Sequence, residues 1–203
     1  MDLEQYLYPM ENYNFESVIA CIQNRRSTLP VQFKEGKIPK EILTSVLESV
    51  RYAPTHKRTE PWRFVLFQDQ SKQDLAEFFY LDYQKQTKQE LQTEEKKLKS
   101  GEKVLQSAAV MAICVHRSPA EQIPEWEETA AVACAVENFW LSLTAMGLAG
   151  YWSSPGARNS FISYFNLNAE WECLGFFYLG WPVDGLGPKE RSRKPLEEIV
   201  IWK

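Results

Sequence analysis

The segment APTHKRTEPWRF, from Ala53 to Phe64, constrains the fold of this chain more than any other feature. Apolar residues recur at helical spacing before this segment. The strand-like run FVLF begins at its last residue, Phe64, and continues beyond it. Pro54 disfavours a helical conformation at Ala53, so we expect the helix to end there. Pro61 permits an extended exit into the strand. The polar residues between the prolines are predicted to form a fixed loop, which either presents ligand groups or is an ordinary solvated connection.

Helix-like and strand-like segments alternate along the rest of the chain. The predicted strands are Arg63–Gln68, Val110–Val115, Gly150–Ser153 and Cys173–Leu179. The predicted helices are one capped by Asn14, one starting at Pro39, a short one around Leu75–Phe79, a long apolar one at Thr129–Met146 and a short one at Phe161–Phe165. With no repeat or linker, the pattern indicates one layered domain over residues 1–203 that mixes α and β structure. Residues 1–13 would be an N-terminal arm, and residues 81–105 a charged, solvated helical segment.

Composition excludes several classes of function. The net charge is −4 and no basic stripe is present, which argues against nucleic-acid binding. No apolar run reaches the length of a membrane span, and the N-terminus lacks the features of a signal peptide. The four cysteines are scattered singly in apolar segments, so we interpret them as reduced core thiols of a cytoplasmic protein. With two histidines and no CxxC or HExxH motif, no metal site is expected.

The glycines indicate how a phosphate would be held, if one is bound. None of the nine falls in a GxGxxG or GxxxxGK[ST] motif, so a phosphate would have to be bound by side chains. The candidates are Arg25 and Arg26 near one end of the chain, and Arg191 and Arg193 near the other. Guanidinium groups bind phosphate oxygens in bidentate fashion. The alternative for Arg25 and Arg26 is that their charge only complements a helix C-terminus.

Four segments, taken in order, resemble the FMN-dependent nitroreductase family. They are Arg25-Arg26-Ser27, the Ala53–Phe64 loop, the apolar helix that leads into GLAGYWSS, and GFFYLGWP with the later RSRKPLEEIV. The resemblance covers nearly all of the chain from Asn14 onward. It implies an α+β fold of three layers, with a central mixed sheet flanked by helices. It also implies a homodimer that exchanges the C-terminal strand between subunits and binds two FMN molecules at the interface.

The resemblance also assigns site residues. Arg25, Arg26 and Ser27 match the family's first flavin-binding segment, and Arg191 and Arg193 match its C-terminal pair at the phosphate. His56 and Arg58 match loop positions that approach the flavin from the partner subunit. The stretch bordering the isoalloxazine ring is matched by Trp152, Ser153 and Ser154. Two departures stand out, because many relatives have Asn or Ser in place of Arg58, and because an acidic residue that some place beside the flavin is absent.

The function implied by the resemblance is a two-step oxidoreductase reaction. NADH or NADPH would reduce the flavin, and a nitroaromatic, a quinone or an activated alkene would then reoxidise it. Because the flavin carries this chemistry, no catalytic side chain is expected. The segment 81–105 corresponds to a variable lid that sets acceptor choice, and residues 191–203 to an extension that packs on the partner. Two alternatives stay open: a flavin-binding or flavin-handling protein without efficient hydride transfer, and a globular protein without a cofactor.

Overall fold

The computed structural model describes residues 14–186 and 191–203, so the predicted arm at residues 1–13 lies outside the described residues. The helices are α1 (Phe15–Asn24), α2 (Lys40–Glu48), α3 (Ser71–Gln86), α4 (Glu94–Leu105), α5 (Glu125–Ala145) and α6 (Arg158–Tyr164). The strands are β1 (Phe33–Lys34), β2 (Trp62–Gln68), β3 (Ala109–His116), β4 (Ala149–Ser153) and β5 (Trp171–Pro182). Short 3₁₀ turns connect several of them.

The strands form one sheet in the order β1-β5-β3-β2, with β4 also paired to β5. Every pairing between these strands is antiparallel. The sheet was predicted to be mixed, and among the described strands it is antiparallel instead. An isolated bridge between Ser27 and Gly150 supplies a parallel contact. The direction of pairing depends on where each connection returns the chain, and strand periodicity does not encode it.

Helices cover both faces of the sheet, which confirms the predicted α+β fold in three layers. Along β3, residues such as Met111 and Ile113 face a core built with α2 and α5, while Val110 and Ala112 face a core built with α3 and α6. The strand is buried from Ala109 to Val115. A strand covered on both faces is apolar at every position, as this sequence is.

Residues at the helix termini set where α1 begins and where α5 begins and ends. The Asn14 side chain accepts hydrogen bonds from the amides of Glu16 and Ser17 and so caps α1 as predicted. Helix α5 ends before Gly147, whose φ of 75° reverses the chain toward β4. It begins at Glu125, earlier than the predicted Thr129, because a turn rich in acidic residues suits a helix N-terminus.

The charged segment 81–105 is divided between two helices. Helix α3 continues to Gln86, so it is longer than the short helix predicted around Leu75–Phe79. Helix α4 then packs back on α3 at Gly101, where a Cβ atom would lie 2.6 Å from a ring carbon of Tyr80. The Ser100 hydroxyl donates to the Phe79 carbonyl at 3.2 Å. The second half of the segment therefore packs against the first along the α3–α4 contact.

Strand β5 contains a bulge opposite β3. Ile113 pairs with Gly175 and Cys114 pairs with Cys173, so Leu174 has no partner on β3. Gly175 has a φ of 150°, and a Cβ atom there would lie 2.5 Å from the Ser153 carbonyl oxygen. The bulge therefore needs glycine, because any side chain would collide with the backbone of β4.

The four cysteines are free thiols with different exposure. Cys114 and Cys173 are buried, as core thiols should be, and Cys21 is half-buried. Cys134 is exposed on α5, so the prediction of a core position was wrong for it. Its apolar neighbours in the sequence do not reveal which side of the helix faces the sheet. Within the described residues, no helix is long and apolar enough to cross a membrane.

Candidate functional site

A cavity of about 320 Å³ brings the two ends of the chain together. We name it the arginine cavity; its lining includes Arg25, Arg26, Ser27, Arg191 and Arg193, together with Thr28, Gln32 and Leu186. The first segment is placed by the end of α1 and by β4, because Ser27 bridges to Gly150 and the Thr28 amide donates to the Gly150 carbonyl at 2.9 Å. The four arginines predicted as phosphate ligands thus lie around one cavity, together with Ser27 of the predicted flavin-binding segment.

The charges in the arginine cavity favour an anion. Burial, followed by the positive charges of Arg26, Arg25 and Arg193, holds the pKa of Arg191 below its usual value. The positive charge of Arg25 is partly offset by Glu137, because its Nε lies 3.2 Å from Glu137 Oε1. Four guanidinium groups with a single carboxylate among the lining residues of this cavity and the adjoining one leave a net positive site. A bound phosphate would relieve that repulsion and accept charge-assisted hydrogen bonds.

Arg25 is held in place by two contacts besides the cavity. Its guanidinium carbon lies 4.5 Å from the centroid of the Trp140 ring, and its Nε contacts Glu137. Both partners belong to α5. A stacked and paired guanidinium keeps a fixed orientation, so Arg25 presents its charge to the cavity with little conformational freedom.

Strand β4 leads from the arginine cavity to a second one. Gly150 lies beside Ser27, and Ser153 at the other end of the strand lines a cavity of about 830 Å³ between α3, α4 and the start of α6. We name it the β4-end cavity. Three residues of extended strand span roughly 10 Å. The two cavities are thus joined by one short, rigid element.

The three side chains of the predicted stretch Trp152–Ser154 do not face the same cavity. Ser153 lines the β4-end cavity, whereas Trp152 packs against the core on the α5 side of the sheet. Alternation along a strand requires this division. Ser154 is exposed and is absent from the lining of the cavity.

The structure adds residues that sequence reasoning missed. Ser100 and Lys103 of α4 line the β4-end cavity, and Lys103 Nζ lies 5.0 Å from the centroid of the Tyr151 ring. Tyr151 stacks on Tyr178, and burial raises the pKa of the Tyr178 hydroxyl. Lys103 is one of several lysines in a charged run, and only the packing of α4 on α3 distinguishes it.

The loop between the two prolines is strained and anchored to the region before and at the start of α5. Lys57, Arg58 and Glu60 have φ values of 50°, 56° and 43°, which side chains other than glycine rarely adopt. His56 Nδ1 lies 2.7 Å from Glu127 Oε2, and Lys57 Nζ donates to the carbonyl of Glu121 at 2.6 Å. Neither His56 nor Arg58 lines the arginine cavity of the same chain. The structure therefore does not bring them together with the predicted phosphate ligands within one chain.

A metal centre finds no support in the part of the chain that the structure describes. No group of three or more histidine, cysteine, aspartate or glutamate side chains is placed there to hold an ion. His116, the second histidine, instead bonds Glu170 through Nε2 at 3.0 Å and contacts Arg63 through Nδ1. It acts as a link between strand ends.

Comparisons with known proteins give the family and the fold of this chain. A family model described as the nitroreductase family matches residues 22–181. Among curated proteins, YfhC of Bacillus subtilis, whose name assigns it to the NAD(P)H nitroreductases, is 27% identical over 180 residues, covering 87% of this chain and 89% of YfhC.

Solved structures show the same fold. A nitroreductase-like family protein from Bacillus cereus has a TM-score of 0.77 at 24% identity and covers 94% of this chain and 98% of its own. The FMN-dependent nitroreductase NfnB from Mycobacterium smegmatis, solved in complex with NADPH, has a TM-score of 0.74 at 14% identity and covers 94% of this chain and 100% of its own. The family model spans well over half of the residues, and the chain belongs to the nitroreductase family.

Proposed function

We propose that this protein is an FMN-dependent oxidoreductase that takes electrons from NADH or NADPH and passes them to a small oxidised acceptor. The observation that carries the proposal is the arginine cavity, where Arg191 is crowded by three other positive charges. Bound FMN would supply the hydride-transfer chemistry, which explains why no nucleophile or acid–base pair is needed. NfnB, which shares the fold, is FMN-dependent and was solved with NADPH.

The arginine cavity would hold the phosphate of FMN. Arg191 and Arg193 approach from the C-terminal segment, and Ser27 offers an exposed hydroxyl from the other side. Arg25 would contribute charge from a fixed position, since Glu137 and Trp140 restrain it. Charge-assisted hydrogen bonds from several directions suit a dianionic phosphate.

Strand β4 would orient the rest of the flavin. With the phosphate near Ser27, the distance of roughly 10 Å along the strand brings a planar ring to the neighbourhood of Ser153. There the Lys103 ammonium lines the cavity and can donate a hydrogen bond to the polar edge of the ring. The Ser100 hydroxyl also lines it and can accept one, because its own proton is donated to a backbone carbonyl of the protein. These side chains would position the ring and leave the reaction itself to the cofactor.

We further propose that the protein works as a homodimer. Exposed apolar side chains lie on α1 (Phe15, Val18 and Ile22), at the start of α5 (Trp126) and on the tail, where Ile201 and Trp202 are each 83% exposed. Apolar surface of this extent marks an interface. A second copy of the chain would cover it, with the tail as an exchanged segment. His56 and Arg58 of each subunit would then approach the flavin held by the partner's arginines.

With all four cysteines free, the cytoplasm is the compartment we propose.

An absorbance spectrum followed by an anaerobic titration tests this function. We expect the purified protein to be yellow, and NADH or NADPH to bleach the flavin band rapidly. A nitroaromatic, a quinone or an activated alkene should then restore the band. Yellow protein that stays oxidised with both nicotinamides would indicate the alternative, a flavin-binding protein without efficient hydride transfer. Colourless protein with no affinity for FMN would contradict both.

A further inference from the structure

Two buried thiols face each other across the centre of the sheet. Cys114 on β3 and Cys173 on β5 are paired positions of an antiparallel ladder, and they are 0% and 2% exposed. Both belong to the same apolar cluster, on the side of the sheet covered by α3 and α6. Paired residues of an antiparallel ladder have Cα atoms about 4.5–5.5 Å apart, which lies within the range that a disulfide bond spans. Each thiol is free in the structure.

The bulge in β5 creates this pairing. Phe177 and Leu179 point to the α5 side of the sheet, and strict alternation would turn Cys173 to that side as well. The extra residue Leu174 reverses the alternation, so Leu174 packs on the α5 side and Cys173 on the side of Cys114. A backbone irregularity that needs a glycine with a positive φ is thus what brings the two sulfur atoms together.

A cavity lies against Cys173, one of the two residues of the pair. It has a volume of about 560 Å³, lies between α6 and the start of β5, and includes Cys173 and Arg158 in its lining. The Arg158 guanidinium donates to the Cys173 carbonyl at 3.2 Å. A hydrogen bond with Cys114 lowers the pKa of Cys173, and the positive charge of Arg158 acts in the same direction. The same hydrogen bond raises the pKa of Cys114. Of the two thiols, Cys173 is the one whose pKa is lowered, although its burial opposes the shift, and the one among the residues that line the cavity.

We propose that Cys114 and Cys173 form a dithiol site that a small hydroperoxide oxidises to an intramolecular disulfide. The Cys173 thiolate attacks one peroxide oxygen, the O–O bond breaks, and water or an alcohol leaves, so that Cys173 becomes a sulfenic acid. The Cys114 sulfur then attacks Cys173, the S–O bond breaks, and water leaves with the thiol proton. Two thiols and one hydroperoxide give one disulfide, one alcohol or water, and one water.

The test uses the wild-type protein and hydrogen peroxide. After treatment, the protein is denatured, alkylated and digested, and its peptides are identified by mass spectrometry. We expect a linked pair of peptides containing Cys114 and Cys173, which dithiothreitol separates. In the untreated native protein, a bulky thiol reagent should label Cys134 and leave this pair unmodified, because the pair is buried. The proposal is wrong if Cys114 and Cys173 both remain alkylatable at a peroxide dose that oxidises Cys134.

Two variants sharpen the result. In Cys114→Ala the second step cannot occur, so a 1,3-diketone reagent should trap a sulfenic acid at Cys173. Cys134→Ala removes the exposed thiol and should form the Cys114–Cys173 bond as the wild type does. A wild-type protein in which Cys173 becomes a sulfinic acid while Cys114 keeps its thiol would overturn the proposal, since it would show that the two sulfur atoms do not react with each other.

Discussion

Arg193 is the residue whose role in the arginine cavity is most directly testable. It is exposed, and its own hydrogen bond in the structure is to the neighbouring Ser192 carbonyl at 3.1 Å. Arg193 therefore adds positive charge to the cavity, and the packing of the protein does not depend on its side chain. Removing it should leave the fold intact and weaken only the binding of an anion.

Replacement of Arg193 by alanine should weaken FMN binding by about 1.5–3 kcal/mol, the size of a hydrogen bond to a charged group. Riboflavin lacks the phosphate, so its affinity should hardly change. Lys194→Ala is the matched control, because Lys194 pairs with Glu198 at 3.7 Å and is not among the residues lining the cavity. Fluorescence titration with both flavins measures the effect. An equal loss for FMN and riboflavin would mean that Arg193 does not contact the phosphate.

At the scale of secondary-structure elements, the β5 bulge fixes the position of β4. Gly175→Ala would bring a Cβ atom to 2.5 Å from the Ser153 carbonyl oxygen, so we expect a loss of about 1–3 kcal/mol in the free energy of unfolding. Gly156→Ala is the control, since its Cβ atom would meet nothing within 4 Å, and it should change stability by less than about 0.5 kcal/mol. Urea unfolding compares the two. Equal stabilities would show that β4 can shift to accept the methyl group.

The ends of helices could be predicted from the local sequence, whereas the pairing between distant strands could not. Asn14 and Gly147 mark the start of α1 and the end of α5 because capping is a local effect. The bulge at Leu174 depends on β3, which lies far away in the sequence, so the alternation of β5 alone does not reveal it.

The candidate site divides in the same way. The family resemblance grouped Arg25-Arg26-Ser27 with Arg191 and Arg193, and these residues do line one cavity. Charge patterning alone could not have predicted this, because it does not encode which distant segments meet. The β4-end cavity was only partly predictable. The sequence analysis named Ser153, which lines this cavity. Lys103 lies in a charged run, and only the packing of α4 on α3 beside Tyr151 distinguishes it from the neighbouring lysines. Trp152 was grouped with Ser153 although alternation sends the two side chains to opposite faces.

At the scale of the whole molecule, the exposed tail is the strongest argument for a second subunit. Ile199, Ile201 and Trp202 are 66%, 83% and 83% exposed in the single chain. Deletion of Ile199–Lys203 should therefore yield monomers or aggregates with little bound FMN, because the partner surface loses its apolar contact. Sedimentation together with the flavin absorbance measures both effects. A truncated protein that stays a dimer loaded with flavin would show that the tail is dispensable for assembly.

We propose that each flavin site is built by two subunits. Within one chain, His56 bonds Glu127 and is not among the residues that line the arginine cavity, although we propose that both the loop and the cavity bind the flavin. The two assignments are compatible if the loop of one subunit serves the cavity of the other. In a dimer with twofold symmetry, both sites would be built in the same way.

Complementation between two inactive variants tests this claim most directly. His56→Ala/Arg58→Ala and Arg25→Ala/Arg193→Ala should each bind FMN poorly alone. In a mixed dimer, one site collects all four substitutions and the other none, so one intact site should return per mixed dimer. The FMN content of isolated mixed dimers, purified through two different tags, measures the outcome. Restored binding at one site per mixed dimer is the predicted result. Mixed dimers that form and still bind no FMN would show that the loop serves its own subunit's site, and would contradict the account.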